Sequence, residues 1–278
     1  MRWSYRLGRV AGIDLEVHVT FLALLAWIGL SRLASGHGLA MSALAVALVA
    51  TTFGVVVLHE LGHALAARRL GIPTRNITLL PVGGVARLAR IPERPSEELF
   101  VAAAGPAVNL VLAGVCAFAL FLVEGLPVTL STWLAAEFLD WLVVVNLALL
   151  GFNLLPAFPM DGGRLLRALL ATRLPYLRAT EIAVRVGRGM ALLLGLAGLA
   201  YNFMLVVIAV FVWTGGGTEL AMVRRRHEPQ PAWGPFGPFP GVAPSVVFVA
   251  GPDGWRAVRP GAPPEAEPRP PVRILDIQ

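Results

Sequence analysis

The sequence predicts an all-α polytopic membrane protein, with about six transmembrane helices and a small membrane-associated β-hairpin between the second and third spans. Composition and two patterns point there. Hydrophobic residues fill 56% of the 278 positions and charged residues only 14%, where an ordinary soluble domain carries about 25% charged residues. Mean hydropathy is +0.71. Apolar runs near 18–35, 41–67, 99–123, 133–155, 182–200 and 201–216 are comparable to the roughly 20 residues a helix needs to cross the hydrocarbon core. Between the second and third runs, "RNITLLPVGGVARLARI" (75–91) changes to short β-type runs on either side of Gly83-Gly84. A two-residue glycine loop suits a tight hairpin. Strand backbone at membrane depth needs cover from protein or water, so this hairpin is expected to fold back against the helices.

Charge gives the orientation. All 23 basic residues are Arg, and the net charge is +6. They cluster before the first span, at Arg68, Arg69 and Arg75, at Arg87, Arg90 and Arg94, at Arg164, Arg167, Arg173 and Arg178, and at Arg224 to Arg226, whereas 31–38 holds only Arg32 and 125–132 holds none. By the positive-inside rule the Arg-rich loops and both termini are cytoplasmic. The basic excess is thus assigned to orientation in the lipid bilayer, and no nucleic-acid partner is expected. Asp14, Glu16 and His18 interrupt the basic-then-apolar layout that a signal peptide would have. The single Cys116 excludes a disulfide framework or a thiolate metal cluster. Three regions follow: a cytoplasmic N-terminal segment (1–17), a membrane domain (18–220), and a Pro/Gly-rich cytoplasmic tail (221–278), mostly linker-like, with one small hairpin around Asp253-Gly254.

The second run contains "VVLHELGHALAARRLG" (56–71), in which His59, Glu60 and His63 form HExxH. On a helix, positions i and i+4 share a face, so both imidazoles can meet one ion while Glu60 stands one residue round as a base for a metal-bound water. Ionisable groups inside a span are costly, which makes them functional candidates. A catalytic zinc normally takes three protein ligands and keeps an open position. The extended zincin spacing would put a third His at position 69, which is Arg69. The third ligand is then His18, the one remaining His near a span, or a carboxylate from further along. Asp161 in "GFNLLPAFPMDGGRLLRALL" (151–170) is the best such carboxylate: Pro156 and Pro159 break the fourth span before it, and Gly162-Gly163 allow close backbone approach. Both motifs fall near the Arg-rich face. Asp161 could alternatively only cap the helix that follows, and Asp140 is a weaker rival, nearer the opposite face.

These motifs resemble the site-2 protease family of intramembrane zinc metalloproteases. HExxH in the second span, "AAAGPAVNL" (102–110) in the third and "NLLPAFPMDGG" (153–163) after the fourth are similar to that family's signatures, in its order. The opening "LGRVAGIDLEVHVTFLALL" is similar to the branch that usually carries a pair of C-terminal CBS domains, for which this tail leaves no room. The resemblance implies that 18–220 is a metalloprotease domain with one Zn2+ per chain on His59, His63 and Asp161, and with Glu60 as general base. It implies substrate-binding roles for Asn153 and Asn109, the latter more structural. His18 is a possible neighbour of the ligands. The partner implied is a membrane-embedded protein substrate such as an anti-sigma factor or a membrane-tethered transcription regulator.

Two other classes compete with this reading. A metal-binding membrane transporter could use the same ligands but has no need of Glu60, and a catalytically silent scaffold would be expected to have lost a ligand or the base. Spans five and six, with Arg185 and Arg188 among small residues, are expected either to gate substrate access or simply to pack closely through their glycines.

Overall fold

The computed structural model describes residues 3–81, 83–90, 92–227, 247–251 and 254–258. The N-terminal segment contains two antiparallel strands, β1 (Ser4–Val10) and β2 (Ile13–His18). Ala11 and Gly12 join them with φ of 51° and 82°, the left-handed pair of a two-residue hairpin turn. The signal was easy to miss because alanine rarely adopts this conformation. Here Arg68 donates to the Ala11 carbonyl at 2.7 Å and ties the turn to the end of the HExxH helix.

β2 pairs in parallel with β3 (Thr74–Leu80), which pairs antiparallel with β4 (Gly83–Leu88), giving the order β1-β2-β3-β4. The expected hairpin is therefore half of a four-stranded sheet. Its turn is also displaced: Leu80 pairs with Gly83 and Leu79 with Gly84, so the two glycines lie in β4 and not in the connection between the strands.

Six helices follow the order of the six apolar runs: α1 (Val19–Ala34), α2 (Leu39–Arg69), α3 (Pro95–Glu124), α4 (Leu130–Asn153), α6 (Tyr176–Ala200) and α7 (Phe203–His227), with the short α5 (Asp161–Ala171) after the fourth. Among the described residues, five are long and apolar enough to cross a membrane, while α1 has 16 residues. At 1.5 Å per residue α1 reaches about 24 Å, short of a core of about 30 Å. The 31 residues of α2 reach about 46 Å, leaving its last turns free to stand beside the sheet. Ile13, Ala64 and Ile77 form one buried cluster between sheet and helix; Val17, Phe21 and Leu79 form another, which Phe53 and Val57 complete. The sheet thus rests on the helix that carries HExxH.

Close helix contacts fall where side chains are small. A Cβ at Gly62 of α2 would stand 2.9 Å from the Ala104 carbonyl of α3, and one at Gly215 of α7 would stand 2.6 Å from Pro159 Cδ. Gly187 of α6 lies similarly against Ala157. α5 is held by an ion cluster: Arg167, 1% exposed, donates to Glu98 of α3 and Glu219 of α7 and lies 4.9 Å from the rings of Phe158 and Tyr176. Arg167 was expected among the cytoplasmic orientation charges; burial between two carboxylates removes it from that set.

A separate unit in the tail contains β5 (Val247–Gly251) paired antiparallel with β6 (Gly254–Val258), matching the small hairpin expected there. Asp253 and most of the tail lie outside the described residues.

Candidate metal centre

His59 and His63, four residues apart on α2, turn their rings to the same side, and the break after α4 brings Asp161 to meet them. Asp161 stands in the first turn of α5, where a negative charge complements the helix dipole. Met160 occupies the N-cap position, so Asp161 is not the capping residue that the alternative reading proposed. The approach is close: a Cβ at Gly163 would stand 2.6 Å from the Ala157 carbonyl carbon, and one at Gly162 would overlap the carbonyls of Leu154 and Leu155. That pair of glycines lets the Pro-broken segment fold over the start of α5.

The three donor atoms nearly touch. His59 Nε2 and His63 Nε2 are 3.1 Å apart, and they lie 3.1 and 3.0 Å from Asp161 Oδ2. All three residues are buried, at 5, 6 and 6% exposed. α3 supplies the frame behind them. His63 Nδ1 donates to the Val101 carbonyl at 2.7 Å, and His59 Nδ1 donates to Asn109 Oδ1 at 2.8 Å. With both Nδ1 atoms protonated, both Nε2 atoms present lone pairs. With both rings neutral, two lone pairs and a carboxylate oxygen converge on one point, an arrangement that a cation stabilises. Tetrahedral zinc with bonds near 2.0–2.1 Å sets its ligands about 3.3 Å apart. The donor set and spacing fit the ion.

Gly105 makes the arrangement possible. A Cβ there would overlap His63 Nε2 and stand 2.7 Å from His59 Cε1. Val101, Gly105 and Asn109 recur every four residues on α3, so one helix face offers a carbonyl, a gap and an amide in succession. Gly105 and Asn109 lie inside "AAAGPAVNL" (102–110), with Val101 just before it. Asn109, expected as a substrate-binding residue of more structural character, is 0% exposed and has His59 as its partner.

Glu60 is half-buried beside the two histidines, and its side chain runs under β4: a Cβ at Gly84 would stand 2.6 Å from Glu60 Cγ. Asn153 ends α4, half-buried, with Nδ2 donating to the Leu149 carbonyl at 3.0 Å. His18 is not brought to the cluster. It caps α1, where Nδ1 accepts from the Thr20 amide at 3.3 Å. Asp140 is exposed and also lies outside the group.

Fold and site together define a multi-pass helical membrane protein with a buried His-His-carboxylate centre and a glutamate beside it. The chain matches the model of Peptidase family M50 over residues 47–132 and 127–196, more than half its length, and it belongs to that family. It is 39% identical over 229 residues to a zinc metalloprotease of Methanocaldococcus jannaschii, which covers 80% of this chain and 62% of that protein. Stage IV sporulation protein FB of Bacillus subtilis is 33% identical over 190 residues, covering 65% of this chain and 57% of that one. The chain thus spans between half and two thirds of the length of these relatives. Among solved structures, the site-2 protease from Methanocaldococcus jannaschii matches with a TM-score of 0.54 and 35% identity, over 78% of this chain and 95% of that one.

Proposed function

We propose that this chain is a zinc-dependent intramembrane endopeptidase that hydrolyses a peptide bond within or near a transmembrane segment of a membrane-tethered regulatory protein. The observation that carries the reading is the convergence of His59, His63 and Asp161, with Glu60 one residue round the same helix, in a member of a peptidase family. By family resemblance the substrate is an anti-sigma factor or a membrane-tethered transcription regulator.

His59, His63 and Asp161 would hold one Zn2+, which when bound supplies a Lewis acid that polarises the scissile carbonyl and acidifies a water. Glu60 receives the proton of the attacking water and returns it to the leaving amide nitrogen, so the products are a new carboxyl and a new amine. Asn153 would donate to the substrate backbone through Nδ2, which here donates to the Leu149 carbonyl. A membrane helix resists hydrolysis because its amides are bonded internally, so the target must first unwind. β4, the free edge of the sheet next to Glu60, offers the unwound segment a place to join as an added strand.

The test is zinc content of detergent-purified protein. Wild type should hold about one zinc per chain and Asp161→Ala far less; well-folded wild type without zinc would sink the proposal. Glu60→Gln separates the classes, since a transporter would keep working and a protease would keep its zinc but lose cleavage.

A further inference from the structure

Two buried amides on neighbouring helices each leave one polar atom without a partner, and the two atoms are complementary. Asn109 is 0% exposed; its Oδ1 accepts from His59, and its Nδ2, a donor, has no partner. Asn146 is 1% exposed; its Nδ2 donates to the Leu142 carbonyl at 2.8 Å, and its Oδ1, an acceptor, has no partner. Buried amide groups left this way are uncommon and costly.

Topology puts them at one level. α3 and α4 form a helical hairpin with a five-residue connection, 125–129. Asn109 stands fifteen residues before the end of α3 and Asn146 sixteen after the start of α4, which at 1.5 Å per residue is the same depth to within about 2 Å. α4 packs on α3 and only slightly on α2, so a side chain buried on α4 faces α3.

Resting on the metal-centre reading, we propose that Asn146 is a positioning residue for that centre: its Oδ1 receives the free Nδ2–H of Asn109 through one buried water, and thereby fixes which way round the Asn109 amide stands. The direction matters because an amide can present either oxygen or nitrogen to the same neighbour. With oxygen toward His59, Nδ1 of that ring carries the proton and Nε2 is free to ligate. With nitrogen toward His59, Nδ1 must accept, the proton moves to Nε2, and the ring cannot bind metal through it. Asn146 has no such freedom, because the Leu142 carbonyl can only accept and so holds the amide nitrogen on its own side. The relay therefore runs one way, from the Leu142 carbonyl through Asn146 and Asn109 to His59. A water there has one donor and one acceptor facing it, the partners a buried water needs.

Zinc affinity measured by chelator competition on the purified full chain tests this. Asn146→Leu keeps the branched shape and removes the acceptor; it should weaken zinc binding about 10- to 100-fold, the usual effect of losing a group that orients a ligand. Asn146→Asp, held as the neutral acid by its buried apolar site, can donate its O–H to the Leu142 carbonyl and keep the acceptor oxygen, so it should stay near wild type. Val145→Ala removes packing at the neighbouring buried position of α4 and should leave zinc affinity unchanged. In an Asn109→Ala background, Asn146→Leu should add nothing, because the relay is already cut; independent packing defects would add. If Asn146→Leu does not fold, Asn146→Ala takes its place in every comparison. Wild-type affinity in the Asn146 variant, equal weakening by Val145→Ala, or additivity with Asn109→Ala overturns the relay while leaving the zinc centre intact. Absence of zinc from wild type overturns the centre itself.

Discussion

Gly105 is where the two imidazoles find room, and it supplies the sharpest residue-scale prediction. Gly105→Ala should abolish zinc binding while leaving the helices formed, because the new methyl would stand 2.6 Å from His63 Cε1 with the backbone of α3 behind it; circular dichroism and metal analysis on the same sample check both halves. Glu60 gives the complementary case. Glu60→Gln should keep the zinc and lower the cleavage rate by about 10²–10⁴-fold, the usual contribution of a positioned acid or base, read as turnover of a membrane-tethered reporter substrate. A Gln variant that cleaves at the wild-type rate would remove Glu60 from the mechanism. At this scale the sequence was informative about chemistry and silent about support. HExxH and Asp161 stand out because ionisable groups are rare in apolar runs. Gly105, Gly84 and the Val101 carbonyl carry no such mark, since a glycine in a membrane helix and a backbone oxygen look like any other.

At the scale of elements, the sheet and α5 decide whether the site assembles. Arg167 joins α5 to α3 and α7 through two carboxylates in a nearly water-free place. Arg167→Met should destabilise the protein by about 3–5 kcal/mol, since it strands charge that the guanidinium had compensated, and a lowered thermal unfolding midpoint checks it. Changing Glu98 and Glu219 to Gln as well should recover much of the loss. A different element-scale prediction concerns β4. Val85→Pro should cripple cleavage and spare the zinc, because proline cannot donate to an added strand; unchanged activity would remove the edge from substrate binding. The hairpin was legible from the break in helical period, but its turn was not, because two adjacent glycines imitate a hairpin loop when one of them is actually giving way to Glu60. β1 and β2 were hidden by their polar alternation: Arg6, Arg9, Asp14 and Glu16 read as a charged lead-in until β3 offers a parallel partner.

For the whole molecule, the number of times the chain crosses the bilayer sets where its ends lie. Six crossings put both termini on one side, and five put them on opposite sides. We propose six, with both ends cytoplasmic: the Arg clusters favour it, and α1, though only 16 residues long, has the exposed Trp27 and Leu30 on its surface that a lipid environment accepts. Impermeant thiol reagent should label a cysteine placed at the exposed Val128 from outside, in a Cys116→Ser background, and should reach cysteines at Arg9 and Arg225 only after permeabilisation. Labelling at Arg9 in intact cells would mean that α1 does not cross. The order of the spans was readable because hydrophobicity integrates over about 20 residues. The depth of Arg167 was not, since a single arginine looks the same in a loop as it does clamped between two acids.

Glu60 and Gly84 touch, and both belong to parts that cannot move separately, because the sheet is seated on α2 by two buried clusters. Glu60 and the edge strand therefore behave as one rigid gauge. In the proposed mechanism a peptide laid along that edge would meet Glu60 at a set count of residues from where its pairing begins, so the cut position should follow register along the strand more than the identity of the residues cut. Sliding the unwound stretch of a substrate by two positions, which preserves the pleat, should move the cleavage point by the same two residues.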